Sequence, residues 1–166
     1  MEIYHGKRLW IEKRNIRLPN GHEREKLIVH PGDAVAILPR EEGRCKLLMQ
    51  YRAAIGQYII EAPAGAMEAG ESPADTAHRE LIEETGFAAG TMIPRGFIYT
   101  TPGFTDEKLF LFEARDLTPS ELYEKDKDEI IEVFDCADAD LFAMIHDGAI
   151  IDAKTICLIQ RCIRCR

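Results

Sequence analysis

No stretch of this sequence approaches the roughly 18 consecutive apolar residues that a transmembrane helix needs, so no membrane partner is expected. The opening residues, MEIYHGKRLW, lack the apolar core of a secretory signal, and a cytoplasmic setting is expected. Basic residues are outnumbered, 21 Lys and Arg against 29 Asp and Glu, for a net charge of −8. Nucleic-acid binders generally carry a basic stripe, so no nucleic-acid partner is expected. A small phosphorylated ligand is not excluded, because metal ions can bridge an acidic site and an anion. Cysteine is odd in number: Cys45, Cys136, Cys157, Cys162 and Cys165. That argues against a disulfide framework and for reduced thiols. Cys162 and Cys165 form C-x-x-C, but no second such pair or close histidine pair completes a zinc site. Internal repeats and low-complexity linkers are also missing.

What is present is an ordinary globular composition, with 166 residues, 46% hydrophobic and 30% charged. That length supports a sizeable core. Residues 2–30 alternate like strands, with Pro19-Asn20-Gly21 turning between two of them. Asp33–Leu38 and Lys46–Tyr51 read as buried strands around a Glu41-Glu42-Gly43 turn, and Tyr58–Glu61 as a short one. Further strands are expected at Gly96–Thr100, Lys108–Ala114 and Ile130–Phe134, with a polar stretch over 118–128. Asp138–Ile145 reads as a helix ended by Gly148, and Asp152 caps a last helix reaching about Arg161. Strands interleaved with helices give an α+β or layered α/β/α domain, whose topology periodicity does not fix.

The segment GAMEAGESPADTAHRELIEETGF, Gly65 to Phe87, carries the chemistry. Ser72 is a good N-cap, Pro73 suits the first helical position, and Asp75 falls three after the cap. Gly86 can take the left-handed conformation that stops a helix. Ala74, Ala77, Leu81 and Ile82 offer an apolar side, and Ala64 to Gly70 reads as a loop. Positions three and four apart share a helix face, so Glu80, Glu83 and Glu84 converge, and Arg79 can pair with Glu83. Three carboxylates on one face repel; hard cations such as Mg²⁺ or Mn²⁺ relieve that. A glutamate-rich helix is more often a solvated face, but here glycine, arginine and cap all sit at fixed offsets.

These residues resemble a complete Nudix box, G-x5-E-x7-R-E-U-x-E-E-x-G-U, where U is a bulky apolar residue. It is filled by Gly65, Glu71, Arg79, Glu80, Leu81, Glu83, Glu84, Gly86 and Phe87. The resemblance implies hydrolysis of a nucleoside diphosphate linked to another group. It also implies a mixed sheet sandwiched between helices, with the box helix on one side and the C-terminal helix on the other. Glu61-Ala62-Pro63-Ala64-Gly65, Pro102 sixteen residues after Gly86, Asp128 to Val133, and Asp147 to Thr155 resemble the ADP-ribose pyrophosphatase branch. So do Leu18 to Gly21, His30-Pro31-Gly32 and Gln50-Tyr51-Arg52.

That branch implies cleavage of ADP-ribose to AMP and ribose 5-phosphate. By resemblance Glu80, Glu84 and the Ala64 carbonyl are metal ligands. Glu83 binds a further ion or lies in its shell, while Glu71 and Arg79 orient the loop and carboxylates. Glu129 best matches the general base, with Glu132 and Glu107 as alternatives. Arg52 matches an arginine that contacts phosphates or ribose, Glu25 the adenine, and Glu61 a supporting carboxylate. The branch often stacks adenine between aromatics, but Arg8 and Arg24 align best with those positions here, with Trp10 nearby. Residues 1–30 resemble a sheet exchanged between subunits of a homodimer, and residues 31–166 the hydrolase domain. The competing readings are a hydrolase for another nucleoside diphosphate sugar, dinucleotide or oxidised nucleotide, and a non-catalytic nucleotide-sensing domain.

Overall fold

The computed structural model describes residues 1–122 and 130–163. Three strands open the chain, β1 (Glu2–His5), β2 (Trp10–Arg17) and β3 (Glu23–His30), forming an antiparallel sheet. The β2–β3 register runs from Trp10↔His30 to Arg17↔Glu23. The tight turn expected at Pro19-Asn20-Gly21 closes it, with the Leu18 amide donating to the His22 carbonyl at 2.8 Å. No residue of this sheet is fully buried.

The main sheet has seven strands. They are β4 (Ala34–Glu41), β5 (Arg44–Arg52), β6 (Gln57–Glu61), β7 (Ala64–Ala66), β8 (Phe87–Tyr99), β9 (Lys108–Pro119) and β10 (Ile131–Ala137). Its backbone order is β10-β5-β4-β9-β8, with β6 on β5 and β7 on β4. The β4–β9 pair is parallel and the others are antiparallel, so the sheet is mixed. Two expectations change here. Ala64–Ala66, read as loop, pairs with Ala34–Ala36 as a three-residue strand. The strand expected at Gly96–Thr100 begins at Phe87, because a register shift between Pro94 and Phe97 absorbs the proline at the sheet's edge.

Three helices cover the sheet: α1 (Pro73–Thr85), α2 (Asp138–His146) and α3 (Ala153–Cys162). Strand alternation sends β4 and β9 residues to opposite faces. Val35, Ile37, Phe112 and Ala114 pack with Ala77 and Leu81 of α1. Ala36, Leu38, Leu109 and Leu111 pack with Leu141 of α2 and with Leu158 and Ile159 of α3. The layers are therefore helix, sheet, helix. Leu81 is fully buried, and a leucine so buried stabilises by about 1.5–3 kcal/mol, which seats α1 firmly on the sheet. Ala74, expected on the apolar side of α1, is exposed, and its place is taken by Thr76 and Thr85. Among the described residues no helix is long and apolar enough to cross a membrane.

Candidate active site

The entry to α1 is built as the sequence requires. The Ser72 hydroxyl accepts the Asp75 amide at 3.2 Å, and Gly86 ends the helix at φ 76° with its amide on the Ile82 carbonyl. Glu71 fastens the preceding loop to the helix. Its carboxylate accepts the Glu68 amide at 3.0 Å, the Thr76 hydroxyl at 2.8 Å and the Arg79 guanidinium at 2.8 and 3.0 Å. Arg79 first, then the Glu68 amide and the Thr76 hydroxyl, pull the Glu71 carboxyl down from 4.5 to about 2.

Arg79 is the hub of the acidic face. Its remaining donors reach Glu80 at 2.8 Å, Glu83 at 2.9 Å and the Ala66 carbonyl at 3.2 Å. Its hydrogen bonds to Glu71, and then the Glu80 and Glu83 carboxylates, raise its own pKa against the cost of burial. Its five hydrogen bonds, to three carboxylates and a carbonyl, exceed the three that an ammonium can donate.

Glu80 and Glu84 both close on β7. A Cβ placed on Gly65 would lie 1.9 Å from the Glu80 carboxyl carbon, so the carboxylate fills the space a side chain would take. The Ala64 amide donates to Glu84 at 2.7 Å, and Glu84 is only 6% exposed. Glu83 points outward and is about half exposed. The donors gathered around Ala64 and Gly65 are hard oxygens, which fits Mg²⁺ or Mn²⁺. Among the described residues no three His, Cys, Asp or Glu side chains form a ready metal-binding group on their own.

Beside β7 lies a second polar assembly. Arg52 donates to both oxygens of Glu61, at 2.6 and 2.7 Å, and Lys154 of α3 bonds the same carboxylate. Glu61 is 1% exposed. Burial pushes its carboxyl up, but the Arg52 and Lys154 contacts outweigh it and leave the pKa lowered. Arg52 is raised, first by its hydrogen bonds to Glu61, and the Glu84 carboxylate also acts on it through space. Arg52 is thus within electrostatic reach of the α1 carboxylates.

The other sequence-derived positions are scattered. Glu25 is exposed on β3 and pairs with Lys13 at 2.9 Å; Arg24 is exposed and bonds the Glu23 carbonyl at 3.3 Å. Arg8 lines a cleft of about 670 Å³ between the N-terminal sheet and the main domain, together with Trp10, His30, Asp33, Tyr99 and Lys108. Trp10 stacks on His30 with ring centroids 3.7 Å apart. Glu132 is exposed on β10, and Glu107 accepts the Thr100 hydroxyl. Glu129 lies outside the described residues.

Sequence reading passed over two members of this region. Asp33 accepts the Met67 amide on its carbonyl at 3.0 Å and the Lys108 amide on its carboxylate at 3.1 Å, joining the box loop to the cleft. Lys154 follows the Asp152 cap, and its only sequence signal was membership of the Asp147 to Thr155 segment.

The NUDIX domain profile matches residues 30–159. The chain is 37% identical to an ADP-ribose pyrophosphatase of Bacillus subtilis (strain 168), over 96% of this chain and 87% of that protein. It is 34% identical, with the same coverage, to a methanol dehydrogenase activator of Bacillus methanolicus. It is also 34% identical to a GDP-mannose pyrophosphatase of Pectobacterium atrosepticum, over 80% of this chain and 73% of the relative. A solved structure of an ADP compounds hydrolase superposes with a TM-score of 0.84 at 23% identity, covering 96% and 86% of the two chains, which supports the fold. With the profile matching most of its length and its box helix folded against β7, the chain belongs to the Nudix hydrolase family.

Proposed function

We propose that this Nudix pyrophosphohydrolase cleaves the pyrophosphate of ADP-ribose to AMP and ribose 5-phosphate. The observation that carries the reading is the closure of Glu80 and Glu84 on the Ala64–Gly65 backbone. Glu80, Glu84, the Ala64 carbonyl and Glu83 would hold the divalent cations, Mg²⁺ or Mn²⁺. When bound, these supply charge neutralisation at the phosphoryl oxygens and a more acidic water. Arg79 and Glu71 keep the carboxylates aimed at β7. Arg52 grips the substrate phosphates through its fork, with Glu61 behind it. Glu129 takes the proton from the attacking water, with Glu132 and Glu107 as alternates. Glu25 and the cleft-lining Arg8 belong to the nucleoside end, where an arginine plane can stack on a base. The ADP-ribose choice draws on the Bacillus subtilis relative, at 37% identity over nearly the whole chain.

The exposed N-terminal sheet, with Ile3, Tyr4 and Leu27 about half exposed, supports a homodimer in which each copy covers the other's strands. The deciding experiment is chromatography of the products from purified protein, ADP-ribose and Mg²⁺. AMP with ribose 5-phosphate supports the reading. Turnover of GDP-mannose in preference would move it to another nucleoside diphosphate sugar, and no turnover of any nucleotide would favour a sensing domain.

A further inference from the structure

A carboxylate that is 1% exposed needs a counter-ion, because an uncompensated buried charge is strongly unfavourable. Glu61 has two. Arg52 binds it bidentately from one side, and Lys154 bonds its Oε2 from α3. The two cations are unequal. Arg52 is 41% exposed, whereas Lys154 is 14% exposed and held from behind by Asp152 at 3.1 Å. Asp152 also accepts the Thr155 amide and hydroxyl, at 3.0 and 2.6 Å. The buried Thr155 hydroxyl accepts the Ala62 amide at 2.7 Å. Lys154 is therefore locked to the backbone between β6 and β7, while Arg52 sits on the open side.

Glu61 takes two of the five N–H donors of Arg52, through Nε and Nη2, and leaves three for a phosphate. What Glu61 takes from Arg52 is charge: a lone carboxylate cancels the guanidinium's pull on a phosphate, and a second cation on that carboxylate restores it. We propose that Lys154 is the positioning residue that keeps Arg52 available: its ammonium neutralises Glu61, so that the Arg52 guanidinium meets the substrate's phosphates with its charge uncancelled. The proposal rests on the reading of Arg52 as the phosphate-contacting arginine. Without Lys154, Glu61 cancels the charge of Arg52, and the enzyme binds substrate weakly while its chemistry stays intact.

The test measures Arg52 directly as well as turnover. Purified wild type, Lys154→Met, Lys154→Gln and Lys154→Arg are treated with phenylglyoxal, and modification of Arg52 is followed by peptide mass spectrometry. The same proteins are assayed with ADP-ribose and Mg²⁺, and their melting temperatures are recorded. Lys154→Met and Lys154→Gln should slow Arg52 modification severalfold and raise KM for ADP-ribose about tenfold, with kcat changed far less. Lys154→Arg should restore both. In the Glu61→Gln background, which removes the charge, Lys154→Met should no longer slow Arg52 modification. An unchanged Arg52 modification rate in soluble, folded Lys154→Gln would overturn the proposal, as would a loss confined to kcat. If the wild type does not cleave ADP-ribose, the substrate assignment fails, and the modification rates still decide the Lys154 proposal.

Discussion

The amide of Ala64 donates to the Glu84 carboxylate across 2.7 Å, so the strand before the box loop is fastened to the helix after it. The bond aligns one carboxylate oxygen and leaves the group against β7. Glutamine keeps a carbonyl that can accept the same amide but loses the charge. Glu84→Gln should therefore fold with a melting temperature close to wild type. Its kcat should fall by about 100-fold or more, since even outer partners of metal ligands cost 10–100-fold. Isothermal titration with Mn²⁺ and steady-state hydrolysis of ADP-ribose check the two halves. An active Glu84→Gln enzyme would remove Glu84 from the cation site.

Gly65 gives a sharper test, because the atoms that crowd it belong to Glu80, a proposed cation ligand. An added Cβ would sit within 2.0 Å of Glu80 Oε1 and 1.9 Å of its Cδ. Those atoms are the far end of a flexible side chain, so the fold can give way by moving Glu80. Gly65→Ala should thus cost about 1 kcal/mol or less in stability. The displaced carboxylate should weaken Mn²⁺ binding and turnover by roughly 10–100-fold. Chemical denaturation and cation titration separate these, and a large stability loss with normal cation affinity would refute the account.

How much of this was legible depended on the range of the interaction. The bounds of α1 were readable because Ser72, Pro73, Asp75 and Gly86 act within one turn of the helix ends. The box loop's inner strand was not. Ala64, Gly65 and Ala66 carry no alternation, and they become a strand only because β4 lies alongside. The length of β8 was hidden by Gly90, Pro94 and Gly96, which an edge strand tolerates and a pattern search does not. Long-range ion pairs were out of reach altogether. Glu61 and Lys154 stand 93 residues apart, and nothing in the spacing couples them. The same holds for Glu113, fully buried on β9 among Arg40, Arg95 and Arg115. The acidic face of the candidate site was local and therefore visible; its supports from α3 were not.

Arg79 spans Glu71, Glu80, Glu83 and the Ala66 carbonyl with one planar group. Lysine keeps the charge but offers a compact ammonium in place of the fork. Arg79→Lys should therefore lose orientation while keeping most of the electrostatics. Activity is expected to fall roughly 10–100-fold, the range for supports of metal ligands, with an increased requirement for Mg²⁺. Raising Mg²⁺ should recover part of the rate in Arg79→Lys and none in Glu84→Gln. Equal behaviour of the two variants would mean that Arg79 does more than orient.

The acid limb of stability follows from the same contacts. Glu71 has its carboxyl lowered to about 2 in the fold, from an ordinary 4.5. Glu61 and Glu113 are lowered as well: burial pushes both up, but Arg52 and Lys154 outweigh it at Glu61, and Arg95 and Arg115 at Glu113. A carboxyl whose pKa is lower folded than unfolded contributes stability that is fully present above the unfolded value. That contribution is lost as pH falls through the folded value, because the unfolded chain binds more protons in between. The melting temperature should therefore hold steady from neutral pH down to about 5, then fall progressively from about 4.5 toward 2. Glu71→Gln removes one of these groups, so its melting temperature should fall less steeply over that window than wild type. Melting curves of both proteins, followed by circular dichroism at half-unit steps in pH, give the comparison. Parallel curves for the two proteins would show that Glu71 is not held in its charged form by Arg79.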